Sequence, residues 1–445
     1  GTLSSPPGRD FRGGGALVMT VVSTATLLSE LRSRSGGDAA RASTDDDVFD
    51  GVCPRLLVEP STADQFAEIL GWASSEGLTV SVVGGGTKLT WGAPSGPIDL
   101  LLSTTRLRAV IDHRHGDLTT TVESGAPLSA VNKTLTGQRQ WLPWDPPWAD
   151  RATIGGIVAT NDSGPRRHGY GSVRDSIIGV TIARIDGAVA KAGGIVVKNV
   201  AGYDLSRLLT GSFGCLGVII TATFKLAPLA PASRTVEFAL DSLDLSEEVV
   251  SDLSTSSLTP TALELASTAT STQLLVRFES VEAAAAHQAT EACALLGSRG
   301  ESRILSAEEE TTRWEQHSTH WSSSIDGTLL KLVCVPAELV STLVWLRREA
   351  TSQGVSMSVS GRAGLGIVDV RLDGSFSLQA RLIAQLRERL PVGRGSAVIR
   401  QGDAKLRQEV GVWGQIGDGM RVMQAVKQRF DPGNLLNVGR GPGGL

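Results

Sequence analysis

The sequence predicts an α+β protein built in two parts, and three features of this 445-residue chain indicate it. First, residues 45–110 alternate short apolar strands with a helix, and the strand LTVSVVGGG (78–86) ends in three consecutive glycines. Second, strand-like runs dominate residues 117–228, until the proline-containing run LAPLAPAS. Third, strand–helix–strand units follow over residues 234–404. Such a change of pattern at a linker is typical of a domain boundary.

The N-terminal segment, residues 1–44, is expected to be a partly disordered leader, with Met19 as a plausible natural start. The run ALVMTVVSTATLL follows two arginines, but it contains several hydroxyl side chains and has no clear cleavage site, so we do not interpret it as a signal peptide. No apolar run approaches the ~20 residues that a membrane-spanning helix needs. A protein without a transmembrane segment is therefore expected.

The first part begins with the strand RLLVEP (55–60), which is followed by a helix over residues 61–77. Either Ser61 or Thr62 can cap the N-terminus of this helix, because each offers a side-chain oxygen to a free backbone N–H. Apolar residues recur at helical spacing along it. Gly77 is expected to end the helix, since glycine adopts the left-handed conformation of a C-terminal cap at little cost.

The second part repeats a strand–helix–strand pattern around the runs TVEFAL, TALELA, LLVRF and LLKLVCV. This arrangement is typical of a ferredoxin-like α+β domain. The tail VMQAVKQRFDPGNLLNVGR (422–440) is predicted as a helix that ends at residues 431–433. We find no internal sequence repeat. The predicted divisions are residues 1–44, 45–230, 231–420 and 421–445.

Composition and charge exclude several classes of protein. A net charge of −4 and the lack of a basic stripe argue against nucleic acid as a partner. The four cysteines are scattered without a CxxC pair, which fits a reducing compartment. It also excludes an iron–sulfur cluster held by this chain alone, because such clusters need grouped thiolates.

The stretch VVGGGTK (82–88) is a candidate phosphate-binding loop. A strand that ends in glycines exposes successive backbone N–H groups, and such a concave set of donors binds phosphate oxygens. Glycine also lets the backbone come close to a ligand. A glycine-rich hairpin without function remains an equal alternative on this motif alone. A GxGxxG pattern occurs at residues 439–444, but no helix follows it, so it cannot be a dinucleotide-binding loop of the Rossmann type.

Two longer segments make a family resemblance specific. They are LPWDPPWADRATIGGIVATNDSGPRRHGYGSVRDSIIGVTIARIDG (142–187) and VVKNVAGYDLSRLLTGSFGCLGVIITATFKLAP (196–228). Together with VVGGGTK they resemble the FAD-binding domain of the vanillyl-alcohol oxidase and p-cresol methylhydroxylase superfamily. Within it, the chain is most similar to the FAD-binding subunits of glycolate oxidases. The tail FDPGNLLNVGR is similar to a motif FDPxxxLNPGR of that family.

This resemblance implies a two-part FAD-binding domain of the p-cresol methylhydroxylase (PCMH) type, followed by a ferredoxin-like α+β cap. The tail would return to the FAD-binding domain. FAD would be bound non-covalently, because the GGGTK loop offers no histidine or cysteine for a covalent flavin bond. Taken one at a time, the serine, threonine and asparagine residues of these segments can equally be explained by turn chemistry.

The family also implies roles for individual positions. The residues implied around the pyrophosphate are Gly84, Gly85, Gly86, Thr87 and Lys88. Those implied along the isoalloxazine and ribityl chain are Pro146, Ala152, Thr153, Gly155 and Gly156, and the same wall continues with Asn161, Ser163 and Gly164. Ile219 or Ile220 would contact the adenine or ribose, and Asn437 would approach the flavin from the tail.

Candidate catalytic residues lie in KNVAGYD, where Lys198 and Tyr203 could hold a carboxylate or carry a proton at the flavin edge. Residues 166–168 (RRH) are candidates for an anionic ligand, with a solvated basic turn as an equal alternative. His317 and His320 have helical spacing but no evident third ligand, so we expect a surface pair rather than a metal site.

The loop GRAGLGIVD (361–369) indicates a lost metal site. Related catalytic proteins carry GHAGDGNLH there, and the family implies that those histidines bind a divalent metal. Here Arg362 and Asp369 replace the histidines, and IRQGDA (399–404) stands where relatives have GEHGIG. Arginine, leucine and isoleucine do not bind divalent metals, so no metal is expected.

The resemblance therefore implies an FAD-binding subunit of a glycolate oxidase-like 2-hydroxy acid dehydrogenase, active within a complex. A catalytic flavoprotein subunit and an iron–sulfur subunit would be its partners, and a small 2-hydroxy acid the substrate of the complex. The expected location is the cytoplasm, or the inner face of the membrane through those partners. A stand-alone FAD-dependent oxidoreductase acting on an alcohol or hydroxy acid is one alternative, and a non-catalytic flavin-binding scaffold is another.

Overall fold

The computed structural model describes residues 23–195, 203–319 and 327–445. Helices and strands are mixed throughout, which confirms the predicted α+β class. Two sheets and their helices form the first part of the chain, and one large sheet forms the second. None of the helices within these described ranges is both long enough and apolar enough to cross a membrane.

The first sheet has four strands in the order β1-β2-β4-β3, with β2, β4 and β3 parallel and β1 antiparallel to β2. Helices α1 and α2 accompany it. Thr62 is the N-cap of α2 and accepts a hydrogen bond from the N–H of Gln65, and Gly77 follows the helix with φ 67°. The elements are α1 (Thr24–Ser35), β1 (Ala40–Ala42), β2 (Leu56–Val58), α2 (Ala63–Ser75), β3 (Val80–Val83) and β4 (Leu100–Ser103).

The second sheet has five antiparallel strands in the order β5-β6-β10-β8-β9, and a short pair, β7 and β11, lies beside it. Apolar residues of this sheet and of helices α3 and α4 share one buried core. The elements are β5 (Val110–Arg114), β6 (Thr119–Glu123), α3 (Leu128–Leu135), β7 (Gln140–Trp141), α4 (Ile154–Thr160), α5 (Arg167–Tyr170), α6 (Val173–Ser176), β8 (Ile177–Ala183), β9 (Val189–Gly193), α7 (Leu205–Leu209), β10 (Val218–Lys225) and β11 (Ala227–Pro228).

The second part is an eight-stranded antiparallel sheet in the order β15-β12-β14-β13-β17-β18-β16-β19. Its elements are β12 (Ala232–Leu240), α8 (Leu245–Thr255), β13 (Ala262–Ser267), β14 (Thr272–Ser280), α9 (Glu282–Leu296), β15 (Gly300–Ile304), α10 (Ala307–Thr319), β16 (Thr328–Val333), α11 (Leu339–Ser352), β17 (Ser356–Arg362), β18 (Ile367–Asp373), α12 (Phe376–Arg389), β19 (Ser396–Gln401), α13 (Ala404–Val410) and α14 (Gly419–Phe430).

This cap sheet contains a structural repeat that the sequence did not indicate. Strands β12 to β15, with α8 and α9, form one ferredoxin-like βαββαβ unit, and strands β16 to β19, with α11 and α12, form a second. The two units join edge to edge where β13 pairs with β17. The absence of a sequence repeat is compatible with this, because the units share an order of elements rather than a recognisable sequence.

The two faces of the cap sheet differ in chemistry. One face and the helices α8, α9, α11 and α12 form the largest apolar core of the protein. Side chains alternate along β16, so Leu330 and Leu332 enter that core while Lys331 points to the opposite face. That opposite face is rich in charged residues and lies against the first part of the chain, where the N–H of Gly169 bonds the carbonyl of Thr261 in the cap.

The C-terminal tail lies against the first sheet. Val80 forms a parallel bridge with Leu436, and the N–H of Asn437 donates to the carbonyl of Val80 at 2.8 Å. Lys427 in α14 is buried and donates to the Asp431 carboxylate at 2.6 Å and to the carbonyls of Cys215 and Leu436. These contacts bring the last residues of the chain to the edge of β3.

Candidate cofactor cleft

A cleft lies where β3 ends, between the two sheets of the first part. It contains about 780 Å³ of space between atoms, open solvent included. The wall of the cleft consists mostly of backbone and small side chains, including those at the end of β3 and in α4. Ten of the predicted cofactor-contacting residues line it: Gly84, Gly85, Gly86, Thr87, Lys88, Thr153, Gly155, Gly156, Ile219 and Asn437.

The loop after β3 offers free hydrogen-bond donors to this cleft. Across the part of the chain that the structure describes, no group accepts a hydrogen bond from the main-chain N–H groups of residues 84–88. Unpaired backbone N–H groups in a partly enclosed site are costly unless a ligand or water engages them. Five successive donors suit the oxygens of a phosphate or pyrophosphate.

At two of the three glycines a larger side chain would clash with the protein itself, whether or not a ligand is bound. A Cβ on Gly85 would lie 1.8 Å from the carbonyl oxygen of Arg151, and a Cβ on Gly84 would lie 2.2 Å from Thr153 Oγ1. These two positions therefore hold the loop close to the start of α4. Among the three, only Gly86 has a positive φ, 68°, so only there does the backbone conformation itself favour glycine.

Helix α4 approaches the cleft with its N-terminus. Thr153 is its N-cap and accepts a hydrogen bond from the N–H of Gly156. A Cβ on Gly155 would meet Ser124 at 2.8 Å, and the Gly155 N–H donates to the Ser124 carbonyl at 2.7 Å. The IGG sequence therefore lets the first turn of the helix lie directly against the end of β6.

Asn437 joins two walls of the cleft. Its Oδ1 accepts a hydrogen bond from the N–H of Val82 at 2.9 Å, and its Nδ2 donates to the carbonyl of Phe213 at 2.7 Å. Asn437 is buried and has φ 45°, a conformation that asparagine tolerates better than most residues. The tail thus fixes the end of β3 relative to the loop at residues 211–217.

The Lys88 ammonium donates a hydrogen bond to Thr87 Oγ1 at 3.1 Å. The ammonium also lies 3.3 Å from the buried Asp162 carboxylate and 5.7 Å from the centre of the Trp91 ring. Burial acts to raise the pKa of Asp162, but Lys88 and Arg400 outweigh it and hold that pKa below its usual value. Lys88 therefore offers its main-chain N–H to the cleft while its charge connects the cleft to the cap.

Six other predicted residues are not among those that line the cleft. Ser163 gives its carbonyl to Arg362 at 2.6 Å, and a Cβ on Gly164 would lie 2.0 Å from the carbonyl of Asp145. Asn161 caps the C-terminus of α4 with φ 49°. The remaining three are buried in the surrounding structure: Pro146, Ala152 and Ile220. Their predicted contacts with a flavin stay predictions.

The structure describes only one of the two predicted catalytic residues. Lys198 falls outside the described residues. Tyr203 is 94% exposed and is not among the residues lining the cleft. Both assignments stay predictions.

Several cleft residues were missed by the sequence reasoning. Phe213 and Gly214 both have positive φ angles, 55° and 71°, and present backbone to the cleft. The sequence GSFG (211–214), with two glycines, was a signal for such a turn. Arg440, the last residue of the tail motif, also reaches the cleft, together with Phe49 and Thr104.

The loop at residues 361–369 is a β-hairpin between β17 and β18, and its charged residues form a buried network. Arg362 Nη2 lies 3.3 Å from the Asp369 carboxylate, and Arg400 Nη1 donates to the same carboxylate at 2.8 Å. Arg400 also stacks 4.4 Å from the centre of the Trp91 ring and lies 3.8 Å from Asp162. The described residues contain no group of three metal-ligating side chains.

Lys331 stands beside this network without a direct partner. It is the cross-strand neighbour of Asp369, yet no described group lies within hydrogen-bond or ion-pair distance of its ammonium. Burial and the nearby Arg400 and Arg167 lower the pKa of Lys331 to about 7. The residue as a whole is only partly buried.

His317 corrects one expectation. It is only 4% exposed, and its Nε2 lies 2.9 Å from the Glu264 carboxylate, so the prediction of a surface histidine was wrong at this position. The reason is that α10 packs on the charged face of the cap sheet, where Trp314 and His317 face β13. His320 lies outside the described residues.

Arg166 pairs across the two parts of the chain. Its guanidinium donates to both oxygens of Glu279 at 2.8 to 3.1 Å and lies 4.7 Å from the centre of the Trp141 ring. This position of the RRH sequence is therefore a structural contact with the cap rather than a solvated turn. Arg167 remains near Arg362 and Lys331, where burial and Arg362 lower its pKa.

Comparison with known proteins decides what the cleft holds. The protein family described as FAD binding domain matches residues 54–193, which include the loop with the free N–H groups and the start of α4. The chain is a flavoprotein. FAD fits the cleft because its pyrophosphate would satisfy the five unpaired N–H groups of residues 84–88. When bound, FAD supplies a two-electron acceptor.

Three characterised relatives are similar to this flavoprotein. Glycolate oxidase subunit GlcD of Bacillus subtilis (strain 168) is 25% identical over 418 residues, covering 87% of this chain and 88% of the relative. D-2-hydroxyglutarate dehydrogenase of Xanthomonas citri pv. viticola is 33% identical over 44% of this chain and 42% of its own. Glycolate oxidase subunit GlcE of Escherichia coli (strain K12) is 42% identical over 29% of this chain and 37% of its own. The last two matches span less than half of each relative.

Solved structures show the fold. The flavoprotein aligns with 4-ethylphenol oxidase from Gulosibacter chungangensis with a TM-score of 0.74 at 13% identity, over 94% of this chain and 97% of that one. It aligns with p-cresol methylhydroxylase with a TM-score of 0.73 at 14% identity, over 94% and 96%. The predicted fold, an FAD-binding domain of the PCMH type followed by a cap, is confirmed.

Proposed function

We propose that this flavoprotein is the FAD-binding subunit of a glycolate oxidase-like 2-hydroxy acid dehydrogenase complex, with non-covalent FAD and no metal site of its own. The similarity to two glycolate oxidase subunits supports the reaction class. Support for non-covalent binding is that the described residues lining the cleft include no histidine, cysteine or tyrosine.

The observation that carries the proposal is the network of Arg362, Asp369 and Arg400. Two guanidinium groups share one carboxylate where the family resemblance implies metal-binding histidines. A cation at that place would meet two fixed guanidinium groups, which already pair with the carboxylates of Asp369, Glu264 and Asp162. The same positive groups can still attract the carboxylate of a 2-hydroxy acid.

The chemistry of 2-hydroxy acid oxidation explains why a partner is needed. Hydride removal from the α-carbon requires a base for the hydroxyl proton and a cation that polarises the oxygen. A guanidinium does not lose its proton in a protein and cannot be that base. Lys198 and Tyr203 stay proposed as proton carriers. A catalytic flavoprotein subunit and an iron–sulfur subunit are the partners that we propose.

Lys331 favours a second candidate function, a stand-alone FAD-dependent oxidoreductase acting on a hydroxy acid. An amine whose pKa is about 7 can hold a carboxylate when protonated and can accept a proton when neutral. It lies on the charged cap face beside Arg400, which contacts Asp162 next to the cleft. This arrangement would allow turnover without a metal.

Anaerobic mixing of the purified chain with glycolate, D-lactate or D-2-hydroxyglutarate separates the two functions. For the subunit, we expect slow or no bleaching of the flavin absorbance by the chain alone and fast bleaching once the partner chains are added. Dithionite should bleach the flavin in both cases, which controls for a competent cofactor. Fast bleaching by the isolated chain would contradict the subunit proposal. The variants Lys331→Met, Lys198→Ala and Tyr203→Phe would then identify the proton carrier.

Acid precipitation tests how the flavin is held. All of the yellow colour should appear in the supernatant if FAD is bound non-covalently. Flavin that stays with the precipitated protein would contradict this part of the proposal. Purification of the protein from its source, followed by identification of co-purifying chains, tests the proposed partners directly.

A further inference from the structure

One buried carboxylate joins three distant parts of the chain beside the FAD cleft. Asp50, before β2, accepts hydrogen bonds from both terminal nitrogens of Arg407 at 2.7 and 2.9 Å and from Arg440 at 3.1 Å. Arg407 belongs to α13 of the cap, and Arg440 belongs to the tail. All three side chains are at most 5% exposed. We call these three residues the Asp50 clamp.

The clamp binds the segment that follows the pyrophosphate loop. The two guanidinium groups divide five successive carbonyl groups between them. Arg407 donates to residues 90 and 92, while Arg440 donates to residues 89, 91 and 93. Arginine suits this role because its fork of N–H groups can engage several acceptors in a fixed geometry. The whole segment from residue 89 to 93 is thereby held against the cap and the tail.

This segment continues directly from the free N–H groups of residues 84–88. Arg440 also lines the cleft, where its guanidinium lies 4.8 Å from the centre of the Phe49 ring. Two guanidinium groups and one carboxylate leave the clamp with one net positive charge near the proposed position of the pyrophosphate. Loosening the clamp should therefore disturb both the shape of the loop and the local charge.

We propose that Arg407 is a positioning residue for FAD, so that the cap forms part of the cofactor site through the Asp50 clamp. FAD binding and attachment of α13 to the first part of the chain are then coupled. Coupling is reciprocal: if the attached cap strengthens FAD binding, bound FAD must strengthen attachment of the cap by the same factor.

The chain offers a matched control in Arg387. This cap arginine is also largely buried, and it donates to the carbonyls of Ala397, Val410 and Val412 at 2.8 to 3.0 Å. All of these partners lie within the cap. Replacing Arg387 removes a comparable set of guanidinium–carbonyl bonds, including one to Val410 at the end of α13, but none of the bonds that Arg407 makes to Asp50 and to residues 90 and 92.

The test compares FAD affinity in Arg407→Gln and Arg387→Gln by titrating each apoprotein with FAD. We expect Arg407→Gln to bind FAD at least about 10-fold more weakly than the unaltered chain, which lies within the usual range of coupling between sites. Arg407→Lys should be intermediate, because it keeps the charge and loses the fork. Arg387→Gln should keep the affinity of the unaltered chain even if it lowers stability.

A second measurement needs no variant. Hydrogen exchange of the unaltered chain with and without FAD should show that FAD slows exchange in α13, while α11, which contributes no residue to the clamp, changes little. Unaltered FAD affinity in Arg407→Gln, or an equal loss in Arg387→Gln, would overturn the proposal. If Arg407→Gln does not fold, the exchange experiment decides, and exchange in α13 that ignores FAD would also overturn it.

Discussion

Arg400 donates a hydrogen bond from Nη1 to the carboxylate of Asp369 at 2.8 Å, although β16 lies between their two strands. The guanidinium thus reaches across the position of Lys331. Arg362 approaches the same carboxylate from β17. Each guanidinium also lies within 4.0 Å of a second carboxylate, Glu264 for Arg362 and Asp162 for Arg400.

Metal analysis is the most direct test of the hairpin between β17 and β18. The dialysed protein should contain no stoichiometric zinc, manganese or iron, because the described residues bring together no set of three metal ligands. Chelators should leave FAD content and any activity unchanged. One tightly bound metal per chain would contradict this, and Glu264 and His317 would be the first residues to replace.

Asp369→Asn should strongly destabilise the protein. It removes the buried anion that Arg362 and Arg400 share, and breaking a buried ion pair from one side costs about 3–5 kcal/mol. Urea unfolding measures the change. Asp373→Asn is the matched control on the same strand, because its pair with Arg371 is partly exposed and surface pairs contribute about 0–1 kcal/mol. Equal effects of the two substitutions would show that the network adds little.

The sequence could predict the cleft but not the network. The glycines of residues 84–86 and the IGG of α4 are local signals, because close backbone approach requires those residue types wherever the chain folds. The partners of Arg362 are different. Besides Asp369 in the same hairpin, they include Ser163, 199 positions earlier, and Glu264 on β13, which meets β17 only in the complete cap sheet. No local pattern encodes such contacts.

His317 illustrates the same limit. Its helical spacing was visible, but its burial depends on which face of the cap sheet α10 covers. The second ferredoxin-like unit was also hidden, because a shared order of strands and helices leaves no repeated sequence. Long-range packing, rather than secondary structure, was the part that could not be predicted.

Asn437→Ala should weaken FAD binding about 10-fold or more, since each of the two lost hydrogen bonds contributes about 1 kcal/mol to the position of the cleft walls. FAD titration of the apoprotein measures this. Asn434→Ala is the control: it has a similar φ, 49° against 45°, and is exposed on the tail. Asn434→Ala also places an alanine at a positive φ, but it breaks neither of the two hydrogen bonds that Asn437 makes. Similar losses in both variants would assign the effect to backbone strain.

The pKa of Lys331, about 7, makes anion binding depend on pH. A carboxylate binds the protonated amine, so binding raises the pKa of Lys331 and takes up a proton above pH 7. The affinity for oxalate, a small dicarboxylate probe, should be constant below pH 7 and fall by up to about tenfold per pH unit above it.

The stability of the folded protein should change with pH in the direction opposite to that of oxalate binding: it should rise above pH 7. Because the folded state holds a neutral amine more readily than the unfolded state does, Lys331 destabilises the fold below about pH 7, and this penalty disappears as pH rises toward 10.5. Lys331→Met should therefore raise stability at pH 6 more than at pH 9. It should also abolish the pH dependence of oxalate binding above pH 7. Isothermal titration in two buffers of different ionisation enthalpy measures the proton uptake. Unchanged uptake in Lys331→Met would assign the titrating group elsewhere.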